Sequence, residues 1–230
     1  PTGVGKTMFV KKYAETLYGK DNFIRLDMSE YKEESSISKL IGSAPGYVGY
    51  DDNNSILDKV RNHPNSVILL DEIEKASQSV IKLFLQILDE GVIRDSNGRN
   101  IYFNNSIIFM TSNLGCTGSS IGFNNSDIIS NNLKDFLSIE FLNRIDKICL
   151  FKNLNNDVII DVINCRLKSI KKLYKERGYN IKISNDMIEN ISSKSKFNEF
   201  GARKIDKIIE EDVESKIIDE IIENKKVISV

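Results

Sequence analysis

Two short stretches carry the residue types needed to hold a phosphate chain and attack its end. The first is PTGVGKT at residues 1–7. It supplies Thr2, Gly3, Val4, Gly5, Lys6 and Thr7 of the phosphate-loop pattern GxxxxGK[ST], lacking only the leading Gly. Glycines let successive backbone N–H groups turn toward an anion, and the start of a helix adds a positive dipole; Lys6 can then reach the outer phosphates while the Thr7 hydroxyl ligates Mg²⁺. The second is VILLDEIEK at 67–75, an apolar run ending in Asp71 and Glu72. At the carboxyl end of a strand, Asp71 would hold Mg²⁺ through water and Glu72 would polarise an attacking water, the division of labour that phosphoryl transfer to water requires. A third run, IIFMTSN at 107–113, ends in Asn113, an amide able to orient that water or touch a γ-phosphate. Singly, each has a plain alternative: a Gly-rich turn, a solvated acidic turn, a turn-forming Asn. Their order and spacing together point to a nucleotide's phosphate chain held with Mg²⁺ and attacked by water.

The elements that must position these residues are legible as alternating patterns. FIRLD (23–27), SVILLD (66–71) and SIIFMTS (106–112) read as strands, separated by helical spacing over 6–18, from Met8, Phe9, Tyr13 and Leu17, and over 80–88, with Val80, Leu83, Phe84, Ile87 and Leu88 on one face, ended by Gly91. That alternation predicts an α/β fold with a parallel sheet. After residue 152 the texture becomes helical, over 158–174 and 205–222, with a short strand pair expected from 181–183 and 227–230. The expected organisation is a large α/β domain over 1–152 and a small, mostly helical domain over 153–230.

Composition narrows the function classes. With 32 basic and 33 acidic side chains the net charge is -1, so no global positive field exists to hold nucleic acid or an anionic membrane. Apolar runs are far shorter than a bilayer span. Cys116, Cys149 and Cys165 have no metal-ligand or redox spacing. Because the chain opens inside the phosphate loop, it reads as a fragment. Its richness in Ile, Asn and Lys suits an AT-rich source, and with the resemblance described next a plastid location is expected, a bacterial cytoplasm being the alternative.

In the blocks PTGVGKT, IGSAPGYVGYDD, SVILLDEIEKA, LQILDEG with SNGR, FMTSNLG, EFLNRIDKI and FGARK, in that order, the sequence resembles the second ATPase domain of the Clp unfoldases, within the AAA+ superfamily. The resemblance covers essentially the whole chain. It implies an ATP-hydrolysing protein unfoldase acting as a hexameric ring on unfolded protein substrates. It assigns Arg144 as an arginine finger reaching the neighbouring subunit's nucleotide, a surface pair with Asp146 being the alternative. Arg203 corresponds to a second sensor on the small domain, although Lys204 stands where the family usually has Pro. Tyr47 and Val48, in GYVGY, correspond to the pore loop that grips substrate, with Asn53 and Asn54 replacing the family's following glycines.

One further stretch, GSSIGFN at 118–124, places Ile121, Gly122 and Phe123 in an otherwise polar run. In the peptidase-coupled ClpA and ClpC members the same connection bears a loop with such a tripeptide that docks on a ClpP-type peptidase; tucking back onto its own domain is the alternative. The resemblance thus implies unfolding for degradation. A ClpB-like disaggregase without peptidase, or a ring subunit that binds nucleotide without hydrolysing it, are the other readings.

Overall fold

A computed structural model describes residues 1–42, 56–114, 133–195, 201–223 and 227–229. The chain divides into two compact units, one of Lys6–Cys149 and one of Pro1–Gly5 with Leu150–Val230.

The first unit is built on a three-stranded parallel sheet of β1 (Phe23–Asp27), β2 (Val67–Asp71) and β5 (Ile107–Met110), with β2 in the middle. Phe23 pairs with Val67 and Asp27 with Asp71, while Val67 pairs with Ile107 and Leu70 with Met110. All of β2 is buried, as a strand covered on both faces must be. Its side chains alternate between two cores. Val67 and Leu69 pack on Val10 and Ala14 of helix α1 (Lys6–Leu17). Ile68 and Leu70 face the larger core, which includes Val80, Phe84 and Ile87 of α4 (Gln78–Glu90) and Phe141 of α5 (Ile139–Asn143). Two short helices, α2 (Ile37–Ile41) and α3 (Ile56–Asn62), add to that second side.

The sheet and helices follow the sequence reading. In α1 the buried residues are Val10 and Ala14, whereas Met8, Phe9 and Leu17 are 49%, 54% and 60% exposed. A small residue at position 14 lets the helix approach β2 closely, and that fit outweighs the larger apolar side chains. Helix α4 ends as expected at Gly91, whose φ of 66° is left-handed. A Cβ there would lie 3.0 Å from the side chain of the exposed Asn104, which would have to shift slightly, so the left-handed backbone is the main reason for glycine. Beyond it stands an antiparallel hairpin that the sequence reading did not single out, β3 (Val92–Arg94) and β4 (Asn100–Tyr102). Its signal is Asn97-Gly98 between alternating apolar residues.

The second unit is mostly helical. Helix α6 (Asn156–Glu176) starts at Asn155, whose side chain accepts the Val158 N–H at 2.9 Å. It packs Ile163 and Leu167 against Ile191 of α7 (Asn185–Ser195) and Ile205 of α8 (Gly201–Ile209). Helix α8 does not run straight into α9 (Ser215–Ile222); a π-helical turn at Glu210–Glu214 joins them, with the Ser215 N–H bonded to the Glu210 carbonyl. Strands β6 (Asn180–Lys182) and β7 (Val227–Ser229) pair in parallel. No helix among the described residues is long and apolar enough to cross a membrane.

The β3–β4 turn is pinned by Asp95, which is 8% exposed. It accepts the backbone N–H groups of Asn97 at 2.9 Å and Arg99 at 2.8 Å, and the Arg99 Nε–H at 2.6 Å. Burial alone would raise its carboxyl pKa, but the donors and charge of Arg99, with the Asn97 N–H, hold it below the usual value. A depressed folded pKa contributes stability above the unfolded pKa, lost as pH falls through the folded value. Asp95→Asn is therefore expected to lower stability by about 1–3 kcal/mol at neutral pH. In urea denaturation at a series of pH values, the gap from wild type should close below about pH 4.

Candidate active site

The alternation that builds the two cores also selects the site. Val67, Leu69 and Asp71 share the α1 face of β2, and their register partners Phe23, Arg25 and Asp27 lie on the same face of β1. On β5 the matching series is Ile107, Phe109 and, one residue past the strand, Thr111. Polar groups thus converge at the carboxyl edge of the sheet, where α1 begins, the place at which open α/β sheets receive ligands.

Asp71, 5% exposed, is the hub. The Thr7 hydroxyl lies 3.1 Å from each of its carboxylate oxygens. The Thr111 hydroxyl donates to Oδ1 at 2.5 Å, and Arg25 donates to Oδ2 from Nε at 3.0 Å and Nη2 at 2.6 Å. Lys6 Nζ donates to Asn113 Oδ1 at 2.6 Å and to the Ser112 carbonyl at 2.9 Å. Lys6, Thr7, Asp71, Glu72 and Asn113, chosen from sequence, are therefore brought together.

Glu72 has φ 59° and ψ 57°, the non-glycine residue with a left-handed backbone among the described residues. Such a conformation costs on the order of 1–3 kcal/mol and persists only where its surroundings enforce it. Thr111 supplies much of that enforcement. Its hydroxyl accepts the Glu72 N–H at 3.0 Å and its carbonyl accepts the Ile73 N–H at 2.9 Å. The turn leaves the Glu72 carboxylate 3.4 Å from Asn113 Nδ2, and Glu74 accepts the Asn113 backbone N–H at 3.1 Å. Thr111, Arg25 and Glu74 were not found from sequence; the available signal for Thr111 was its place two residues before Asn113 on an alternating strand.

The remaining candidates take no part in those contacts. Thr2, Gly3, Val4 and Gly5 belong to the second unit, in which the Gly3 carbonyl accepts the Ala202 N–H at 2.8 Å. Gly3 and Gly5 have φ of 72° and 94°, the left-handed turns a phosphate loop needs. Arg203 sits in the first turns of α8 in that unit. Arg144 caps the end of α5, and its guanidinium pairs with Asp89 on α4, where sequence reading offered Asp146 as the alternative partner. Tyr47, Val48, Ile121, Gly122 and Phe123 lie outside the described residues.

A family model described as an AAA domain (Cdc48 subfamily) matches residues 1–148. The chain belongs to this AAA family. A second model, the C-terminal D2-small domain of ClpB protein, matches residues 154–229. The chaperone protein ClpB of Malacoplasma penetrans (strain HF-2) is 39% identical over 98% of this chain and 32% of its own length. The Clp protease ATP-binding subunit ClpE of Bacillus subtilis (strain 168) is 39% identical over 100% and 34%. A cryo-EM reconstruction of Hsp104 in a closed state with ATPγS and FITC casein superposes with a TM-score of 0.88 at 32% identity, covering 100% of this chain and 42% of the other. The chain spans about a third of the length of the curated relatives it matches. It is thus an AAA+ ATPase domain of the Clp group, α/β with a helical C-terminal part, and nucleotide binding comes with the family.

Whether the AAA domain also suits a divalent cation can be judged from its donors. Thr7 and Asp71 offer hard oxygens in mutual contact, and no cluster of three His, Cys, Asp or Glu occurs among the described residues. Mg²⁺ is ordinarily held that way, by one or two protein oxygens together with phosphates and water, so the residues fit. Thr111→Val removes the hydroxyl shared by Asp71 and Glu72 without changing shape. It is expected to cost about 1–3 kcal/mol in urea denaturation, because a buried acceptor and a backbone donor lose their partner. Thr111→Ser should retain most of that stability.

Proposed function

We propose that the chain hydrolyses ATP and that its turnover drives unfolding and translocation of protein chains, delivered to a ClpP-type peptidase. The observation that carries the hydrolysis is the convergence of Lys6, Thr7, Asp71 and Asn113 around a Glu72 held in a left-handed turn. Thr7 and Asp71 would hold Mg²⁺, which when bound neutralises charge on the β- and γ-phosphates. Lys6 takes the outer phosphates in exchange for its neutral acceptors on Asn113 and Ser112. Glu72 accepts the proton of the attacking water, and Asn113 orients that water from the adjacent strand. Arg144, half-exposed in its pair with Asp89, acts in trans on a neighbour's nucleotide in a hexameric ring. Arg203 contacts the γ-phosphate from the small domain.

Tyr47 and Val48 grip the substrate, since an aromatic paddle binds polypeptide through apolar contact regardless of sequence. Degradation is favoured over other outcomes by the Ile121-Gly122-Phe123 tripeptide and by relatives named as Clp protease ATP-binding subunits. Remodelling without a peptidase is the second reading, favoured by relatives named chaperone protein ClpB and by the match to the ClpB small domain.

Two experiments separate these readings. Glu72→Gln in the assembled protein is expected to reduce ATP turnover by about 10²-fold or more with nucleotide affinity retained; equal rates would leave only a nucleotide-binding ring subunit. Replacing Ile121 and Phe123 together by Ser should abolish ATP-dependent degradation by a ClpP-type peptidase while ATP turnover continues. Undiminished degradation would defeat the docking assignment, and absence of degradation by the wild type would favour remodelling.

A further inference from the structure

Arg25 has no place in the division of labour above, yet it saturates one oxygen of the central carboxylate. Both of its donors fall on the same atom, Asp71 Oδ2, at 3.0 Å from Nε and 2.6 Å from Nη2. The same Nη2 lies 3.9 Å from Oδ2 of Asp27, the register partner of Asp71 on the neighbouring strand. The environments of the two acids differ sharply. The Asp71 side chain is 6% exposed and that of Asp27 40%, while Arg25 itself is 46% exposed. Arg25 also forms part of the wall of a cleft of about 420 Å³ whose other lining residues include Asp27, Glu30 and Lys59. The guanidinium therefore stands between a buried carboxylate and a solvated one, with room on the solvated side.

We propose that Arg25 is a positioning residue that competes with the divalent cation for Asp71, moving its pairing from Asp71 to Asp27 when the metal–nucleotide complex binds. The inference rests on reading Asp71 as the metal-side carboxylate. An oxygen that already accepts two charged N–H bonds has little lone-pair capacity left for a metal or its water shell. A guanidinium and a divalent cation on one buried carboxylate also repel each other strongly, because screening is weak there. Asp27 removes the penalty of displacement. It lies on the same face and within reach of the same nitrogen, so Arg25 exchanges one carboxylate for another and is not left without a counterion. Arg25 thereby sets how strongly metal and nucleotide binding reinforce each other, a coupling that is reciprocal between the two ligands.

The test measures that coupling directly in the full chain. The affinity for a fluorescent, non-hydrolysable ATP analogue (mant-AMPPNP) is determined in Mg²⁺ and in EDTA, and the ratio of the two is compared among variants. Arg25→Gln removes the competitor and should raise the ratio by about tenfold, the size of effect a neighbouring charge commonly exerts. Asp27→Asn removes the alternative seat and should lower it. A merely structural role for Arg25 would change both affinities together and leave the ratio unmoved. Asp27→Asn keeps an oxygen able to accept the Ser29 N–H, which Asp27 takes at 3.0 Å, so this variant carries the test if Arg25→Gln does not fold, with circular dichroism melts checking both. Wild-type ratios, or shifts in the same direction, would overturn the competition while leaving the ATPase reading intact. Failure of the wild type to bind the analogue in either condition would overturn both.

Discussion

A carboxylate at the end of an entirely buried strand has to be compensated, and the upper edge of the first unit is arranged around that requirement. Asp71 follows four buried aliphatic residues and is 5% exposed. Left alone, an ionised group in such a place costs several kcal/mol or loses its charge. Here each neighbouring element contributes one compensating group: Thr7 from α1, Arg25 from β1 and Thr111 at the end of β5. The parallel register makes this possible, because residues paired across β1, β2 and β5 present their side chains to the same face. A slip of one residue in either pairing would turn Arg25 or Thr111 to the opposite core. The polar cluster and the strand register therefore specify each other.

The same cluster fixes the backbone of Glu72. Thr111 bonds to Asp71 through its hydroxyl hydrogen and to the Glu72 N–H through its oxygen, so a single side chain joins the buried charge to the left-handed turn. That turn redirects the chain immediately after the strand. Without it Glu72 would continue the alternation of β2 and face the large apolar core beside Ile68 and Leu70. The conformational penalty at Glu72 is thus the means by which a second acid is kept at the sheet edge next to the first.

What the sequence made legible divides along the distance over which each feature is determined. Lys6, Thr7, Asp71, Glu72 and Asn113 lie in short contiguous motifs whose chemistry can be read locally, and the structure brings these residues together. Arg25 and Thr111 reach Asp71 from 46 and 40 residues away, through strand register alone, and no local spacing encodes that. The buried face of α1 has a related cause. Helical spacing of Met8, Phe9, Tyr13 and Leu17 marks the helix, whereas contact with β2 decides that Val10 and Ala14 are buried, with Tyr13 packed beside them. The Arg144 pair is similar, since Asp146 is close in sequence but Asp89, at the end of another helix, is the partner. The hairpin at Asn97-Gly98 was locally encoded and passed over.

The two cations of the cluster differ in a way that bears on how a nucleotide enters. Lys6 is held by an amide oxygen and a backbone carbonyl, both neutral acceptors. A phosphate oxygen carrying charge makes a stronger partner than either of these acceptors. Arg25 is held by a buried carboxylate, a partner as good as any phosphate and better shielded from water. Its release requires something that competes for the carboxylate itself, which an anion cannot do and a cation can. Binding of the anion and binding of the cation consequently act on different residues of one network, Lys6 with Asn113 on one side and Arg25 with Asp71 on the other. Among the described residues, Thr7 at the start of α1 and the Thr111-to-Asn113 segment at the end of β5 connect the two sides. On the proposed reading, those few residues would carry a change at the phosphates to the contacts of Asp71 and Asn113, from the ends of β2 and β5 and the start of α1.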